Sequence, residues 1–300
     1  MLNVMTNIED KTGPRISGLS RSAQIMRSLT FFIPVTILTL LVLTAIFAPL
    51  LAPYDPIKVE MTERRLPPSF MEGGSSAHLL GTDNLGRDIL SRAIYGARIS
   101  LSVSLLVIGI TASVGTILGI AAGYLGGRTE AFLMRFTDIS MSFPPLVLAI
   151  LLSVIIGPGF FTVVLALSIL GWAPYARLIR GEALRLRGSD FIAQARINGA
   201  SAWRIMLRHI FPNVINPLII IMTMAIGFMI LAEATLSYLG VGIPPPEASW
   251  GNMVADGRND IDRAWWISTF PGILIGLVVL SGNFFGDWLR DKMDPRLRQL

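Results

Sequence analysis

Six apolar runs dominate the chain and leave little freedom about what it can fold into. They cover residues 29–51, 99–122, 139–156, 160–176, 214–232 and 265–285. An α-helix rises 1.5 Å per residue, so about 20 such residues cross a hydrocarbon core of about 30 Å. The pattern predicts an all-α integral membrane protein with six transmembrane helices. Composition agrees, because 52% of the 300 residues are hydrophobic and only 15% are charged, where a soluble domain carries about 25% charged residues.

The first run is too long for the apolar core of a signal peptide, which is about 7–15 residues, and a long polar stretch precedes it. It reads as a retained helix behind a flexible tail, residues 1–28. Residues 52–98 are polar and rich in Pro and Gly, a loop with one short helix at 87–95 that Asp83 or Asn84 caps. Gly157-Pro158-Gly159 makes a tight turn between the third and fourth runs. Six crossings put both termini on one side. That side, with 1–28, 123–138, 177–213 and 286–300, holds 17 Lys and Arg, against 8 on the other. Positive charge collects in the cytoplasm, so both termini are read as cytoplasmic.

Charge within the runs is scarce. Arg135 and Asp138 stand three apart and can pair on one helix face. Glu233 falls at the outer edge of the fifth run, either solvated there or, as an acid at membrane depth, functional. The lack of a buried ionisable relay argues against an ion-coupled secondary transporter, the rival class. Gly115, Gly119 and Gly123 line one face of the second helix and let another backbone approach, inside the bundle or at a subunit interface. Trp265 and Trp266 suit an aromatic belt at the lipid surface, and with Trp250 they are candidates for a partner-binding surface.

Other functions lose ground. The net charge of +5 suits loops facing anionic lipid better than nucleic acid, because the basic residues are dispersed. No cysteine is present and the two histidines, His78 and His209, lie far apart, so no metal site is expected. A phosphate-cradling loop needs glycines before Lys-Ser/Thr. Of three lysines only Lys11 precedes a Thr, with Ile8-Glu9-Asp10 before it. No cofactor site is expected on this chain.

The basic loop 177–213 is the most informative stretch. Ser189 or Asp190 caps a helix over 191–198, Gly199 stops it, and Ser201 caps a second helix over 202–211 that Pro212 ends. Ile192, Ala195, Ala200, Trp203, Met206, Leu207 and Ile210 recur mostly three or four apart, with Arg196, Arg204 and Arg208 between them. This helix–Gly–helix with one apolar face either rests on the membrane or docks into a groove on a soluble partner.

Residues 194–213 resemble the EAA loop of bacterial ABC importer permeases. That loop has a small-residue triplet, a Gly four positions after it and a Pro thirteen after the Gly. Ala195, Gly199 and Pro212 match. The triplet reads Ala193-Gln194-Ala195, without the family's leading Glu, which puts that Glu's contact with the ATPase in question. Residues 78–92 (His-Leu-Leu-Gly-Thr-Asp-Asn-Leu-Gly-Arg-Asp-Ile-Leu-Ser-Arg), 233–252 and 286–296 are similar to three further stretches of the C-type permeases of dipeptide, oligopeptide and nickel importers. The resemblance covers residues 25–298.

The resemblance implies a type I ABC importer permease core over 99–286, preceded by the first transmembrane helix and an extracytoplasmic loop (29–98) and followed by a cytoplasmic tail (287–300). It implies a coupling helix carrying Ala195, Gly199, Ala200, Ser201, Arg204 and Pro212. The implied partners are a second permease subunit, two ATP-binding subunits and an extracytoplasmic solute-binding protein. The implied cargo is a peptide, with nickel or another small solute as the alternative within the family.

Overall fold

A computed structural model describes residues 21–293, and the side chains of residues 31–293. Among these the chain is helical, with no β-strand and one isolated bridge between Thr82 and Asp88. In order the helices are α1 (Arg21–Ile46), α2 (Ala48–Leu51), α3 (Ile89–Leu125), α4 (Gly127–Ser142), α5 (Pro145–Ile156), α6 (Phe160–Gly171), α7 (Ala173–Arg187), α8 (Asp190–Ile197), α9 (Ala202–Ile205), α10 (Phe211–Tyr238), α11 (Trp250–Gly257), α12 (Ile261–Ala264) and α13 (Trp266–Met293). A single 3₁₀ turn, Met61–Glu63, interrupts the segment before α3.

Four continuous helices are long and apolar enough to cross a membrane: Ile89–Leu125, Phe160–Arg187, Ala202–Tyr238 and Trp266–Met293. α1 adds the shorter apolar stretch Phe31–Ile46. The expected straight third crossing over 139–156 does not form. α4 and α5 meet at 78°, because Phe143 and Pro144 each precede a proline and are held extended, with ψ of 132° and 118°. Counted as one bent crossing, the pair makes a fifth.

Helix boundaries also shift. α1 begins at Arg21, inside the expected tail, and α13 runs seven residues into the expected C-terminal one; residues 1–20 and 294–300 of those tails lie outside the described residues. The helix expected at 87–95 is the first part of the 37-residue α3. Its cap is neither Asp83 nor Asn84 but Asp88, whose Oδ2 accepts from the Ser91 N–H at 2.7 Å. Loop 177–213 is helical through Arg187.

α3 is the mast of the bundle. Its glycine face lies on α7: a Cβ on Gly115 would stand 2.5 Å from the Trp172 carbonyl oxygen, and one on Gly119 2.7 Å from that of Ala176. The stripe therefore serves packing within the chain, where only glycine lets the backbones approach so closely. Near the start of α3, Ile89, Ala93, Ala97 and Leu101 pack with α1, Trp250, Met253, Trp266 and Ile267. Midway, Val103, Val107 and Ile108 pack with α5, α6 and α10. At its far end Ile120 and Tyr124 join Ile179, Ala183, Ile192, Ile205 and Ile210.

Several expected roles change. Asp138 pairs with Arg177 at 2.6 Å, not with Arg135. Trp250 and Trp266 are buried, donating their indole N–H groups to the carbonyls of Ala93 (2.9 Å) and Thr82 (3.2 Å). Neither can belong to a lipid belt or a docking surface, because each is covered by the chain whose carbonyl it bonds. Trp265 remains half-buried against Trp266 and Phe270.

Candidate functional site

The helix–Gly–helix forms at the α7 end of the mast, and local chemistry explains its shape. Ser189 is the N-terminal boundary residue of α8, in extended backbone but without a side-chain cap. Gly199 takes φ +75°. Its N–H donates to the Arg196 carbonyl and the Ala200 N–H to that of Ala195, both at 3.0 Å. This pair of bonds is a Schellman closure, which a left-handed residue permits and glycine adopts without strain. Ser201 Oγ then accepts from the Arg204 N–H at 3.4 Å and starts α9.

The closure brings Ala195, Gly199, Ala200 and Ser201 into one turn. Ala195 and Ala200 pack on the apolar cluster at the end of α3 and α7, while Gly199, Ser201 and Arg204 are exposed. Pro212 stands apart and does not end the helix. A π-turn over Met206–Ile210 joins α9 directly to α10, with the Phe211 N–H bonded to the Met206 carbonyl. Proline has no N–H for the carbonyl four residues back and its ring crowds that carbonyl; the wider turn just ahead of it absorbs the misfit.

The apolar face is also divided. Ile192, Ile205 and Ile210 are fully buried, but Trp203 is 66% exposed and Leu207 50%. Ile197, at 85%, is the most exposed large apolar side chain of this region. Phe191, Ile197, Trp203 and Leu207 thus form an outward apolar set, with Arg204 and Arg208 among them. The Arg196 guanidinium is instead turned back, 5.2 Å from the centre of the Tyr124 ring. Beside Trp203, an apolar groove of about 410 Å³ runs between α3 and α10, lined by Ala112, Thr116, Ile117, Met206, Phe211 and Met222 among others.

Two polar constellations at the opposite end of α3 escaped the sequence reading. Glu233 is not a solvated edge residue. It is 0% exposed, and its carboxylate accepts from Ser100 Oγ at 2.9 Å and Ser237 Oγ at 2.8 Å, tying α10 to α3. It is one isolated acid among hydroxyls rather than a relay. Nearby, Asp83 Oδ2 lies 2.6 Å from Arg87 Nε and 2.9 Å from Arg92 Nη1, and both guanidiniums reach Asp256 Oδ2 at 3.1 Å. Burial raises the Asp256 carboxyl above the usual carboxylate range; the Arg87 charge opposes this and the Asp83 charge adds to it. No group of three or more His, Cys, Asp or Glu placed to hold a metal ion occurs among the described residues.

The comparisons with known proteins concern nearly the whole chain. Residues 115–299 match the family described as binding-protein-dependent transport system inner membrane component. Residues 30–68 match the N-terminal TM domain of oligopeptide transport permease C. The di/tripeptide transport system permease protein DppC of Pseudomonas aeruginosa is 42% identical over 259 residues, 86% of each chain. The dipeptide transport system permease protein DppC of Haemophilus influenzae is 40% identical, over 86% of this chain and 87% of its own. The oligopeptide transport system permease protein OppC of Bacillus subtilis is 38% identical, over 88% and 84%. Multiple apolar helices, a helix–Gly–helix at one end and these matches together identify the chain as a multi-pass membrane protein, a permease component of the binding-protein-dependent transport family.

Proposed function

We propose that the chain is one of two pore-forming permease subunits of an ATP-driven importer of di- or oligopeptides, and that residues 190–210 are the element through which an ATPase partner drives it. The observation that carries this reading is the shape of that element. Its inner face is anchored on the bundle by Ile192, Ile205 and Ile210, its bend is fixed by Gly199, and its outer face offers Ile197 and Trp203 to something else. An apolar helical knob presented this way fits a groove on a soluble partner. Resting on lipid is the rival for such a face, and the resemblance of residues 194–213 to the EAA loop favours the partner.

In this reading the bundle makes six crossings: α1, α3, bent α4–α5, α6–α7, α9–α10 and α13. The Lys and Arg balance puts both termini and the 190–210 element in the cytoplasm and segment 52–88 outside. There the segment faces a solute-binding protein, and the exposed faces of α10 and α13 meet the second permease subunit. ATP is bound by two partner subunits, whose closure moves the 190–210 element and rocks the helices between inward- and outward-open states. The names of the relatives compared favour peptides over nickel as cargo.

The test is Gly199→Pro in the assembled transporter. Proline cannot adopt the φ of +75° found there, so the bend is lost. Peptide uptake is expected to fail while the chain still inserts. Uptake that persists with ATPase association unchanged would overturn the assignment.

A further inference from the structure

We propose that segment 52–88 is held on the bundle by a proton-dependent clasp, in which His78 as an imidazolium bridges Glu63 and Asp88 and lets go at alkaline pH. The clasp rests on geometry at this end of the molecule and does not depend on what the chain transports.

His78 is buried. Its Nδ1 lies 2.9 Å from Asp88 Oδ1 and its Nε2 lies 3.0 Å from Glu63 Oε2. An ionised carboxylate only accepts hydrogen bonds, and a neutral imidazole carries one N–H. The neutral ring would therefore satisfy one carboxylate and turn a lone pair on the other. The imidazolium donates to both. Burial alone would lower the ring's pKa, but the bonds to Asp88 and Glu63 outweigh it and hold it above the ordinary value of 6.5.

The surroundings leave His78 as the bridging cation. From the 52–63 stretch, Tyr54 places its ring 4.8 Å from the imidazole, centre to centre, and Glu60 is near enough to feel its charge. Lys58 is engaged with Glu60. From the start of α3, Arg87 and Arg92 turn to Asp83 and Asp256.

Both of the residues that His78 joins have structural duties. Asp88 Oδ2 caps α3, accepting at 2.7 Å from both the N–H and the hydroxyl of Ser91. Ser91 Oγ in turn accepts from the Tyr54 N–H at 3.0 Å. On the Glu63 side, the backbone carbonyl accepts from Thr82 Oγ1 at 2.5 Å. Loss of the His78 proton therefore loosens the 54–63 stretch from the cap of the mast. The sign follows from linkage. Because the folded state holds the proton more tightly than the unfolded chain, the stabilisation is complete below the ordinary value of 6.5. It is lost as pH rises through the folded-state value.

The experiment is amide hydrogen exchange on the full-length chain in lipid nanodiscs from about pH 5 to about pH 9, corrected for intrinsic exchange. The reporters are Tyr54 and Ser91, whose N–H acceptors belong to the clasp. In the unaltered chain their protection should fall severalfold as pH rises through the folded-state value, following loss of the His78 proton. In Glu63→Gln the new amide can donate to a neutral ring, so protection should persist at high pH and the titration should flatten. In His78→Gln protection should match the alkaline level throughout. Protection independent of pH in the unaltered chain would overturn the clasp, as would a Glu63→Gln chain that titrates like the parent. Should His78→Gln fail to fold, the other two arms still decide.

Discussion

The two ends of α3 are held by different physics. At the Ile89 end, segment 52–88 is fastened by directional bonds: the Asp83–Arg87–Arg92–Asp256 network, the His78 bridge and the Trp266 indole N–H given to the Thr82 carbonyl. At the Leu125 end, the helix–Gly–helix rests on an apolar cluster, and few polar bonds join it to the bundle. Directional bonds among buried charges tolerate little displacement, since breaking one strands a charge. Apolar contact is non-directional and survives small sliding. The first end is thus held by bonds of fixed geometry, and the second by contacts that tolerate small displacement.

Removing a charge should expose the contrast most sharply. Asp83→Ala leaves Arg87 and Arg92 buried with only Asp256 to share. It should destabilise the chain by about 3 kcal/mol or more, measured by thermal unfolding in detergent. A cost below about 1 kcal/mol would mean these charges are hydrated and the contrast is false. Ile192→Ala, at the apolar end, should cost about 2–3 kcal/mol in the same assay. It should also leave the pH profile of the His78 end unchanged; a change there would show that the two ends are coupled. Trp203→Ala should shift unfolding by less than about 0.5 kcal/mol, because the ring is mostly exposed. Peptide uptake should nonetheless fall. A large loss of stability would place Trp203 in the core and contradict its role as an outward contact.

What the sequence disclosed was whatever depends on neighbours in the chain. The Gly199 turn, the Ser201 cap and the Gly115–Gly119–Gly123 face follow from local backbone chemistry and helical spacing, and each is found. The break after Ser142 was also legible in Phe143-Pro144-Pro145, but the unbroken apolar run concealed it. Pro212 carried the opposite lesson. Proline usually marks a helix end, yet a π-turn five residues long lets the helix pass through it.

Features that need distant partners stayed hidden. Arg92 and Arg87 meet Asp256 across 164 and 169 positions, and Trp266 meets Thr82 across 184. The burial of Glu233 depends on Ser100, 133 residues earlier. The residue assignments within 190–210 came from resemblance. The structure added which of its side chains turn inward and which outward: spacing grouped Ile192 and Ile210 with Trp203 and Leu207 on one face, but the two isoleucines are buried and the other two are exposed.

The π-turn has a mechanical consequence. Because Met206–Ile210 joins α9 to α10 without a gap, Ala202–Tyr238 is a single continuous helix of 37 residues, roughly 55 Å long. Glu233, bonded to two serine hydroxyls, stands near one end, and Trp203 lies about 45 Å away at the other. A tilt of about ten degrees about Glu233 would displace the Trp203 end by roughly 8 Å. One continuous helix thus joins the buried Ser100–Glu233 contact to the exposed ring on the helix–Gly–helix.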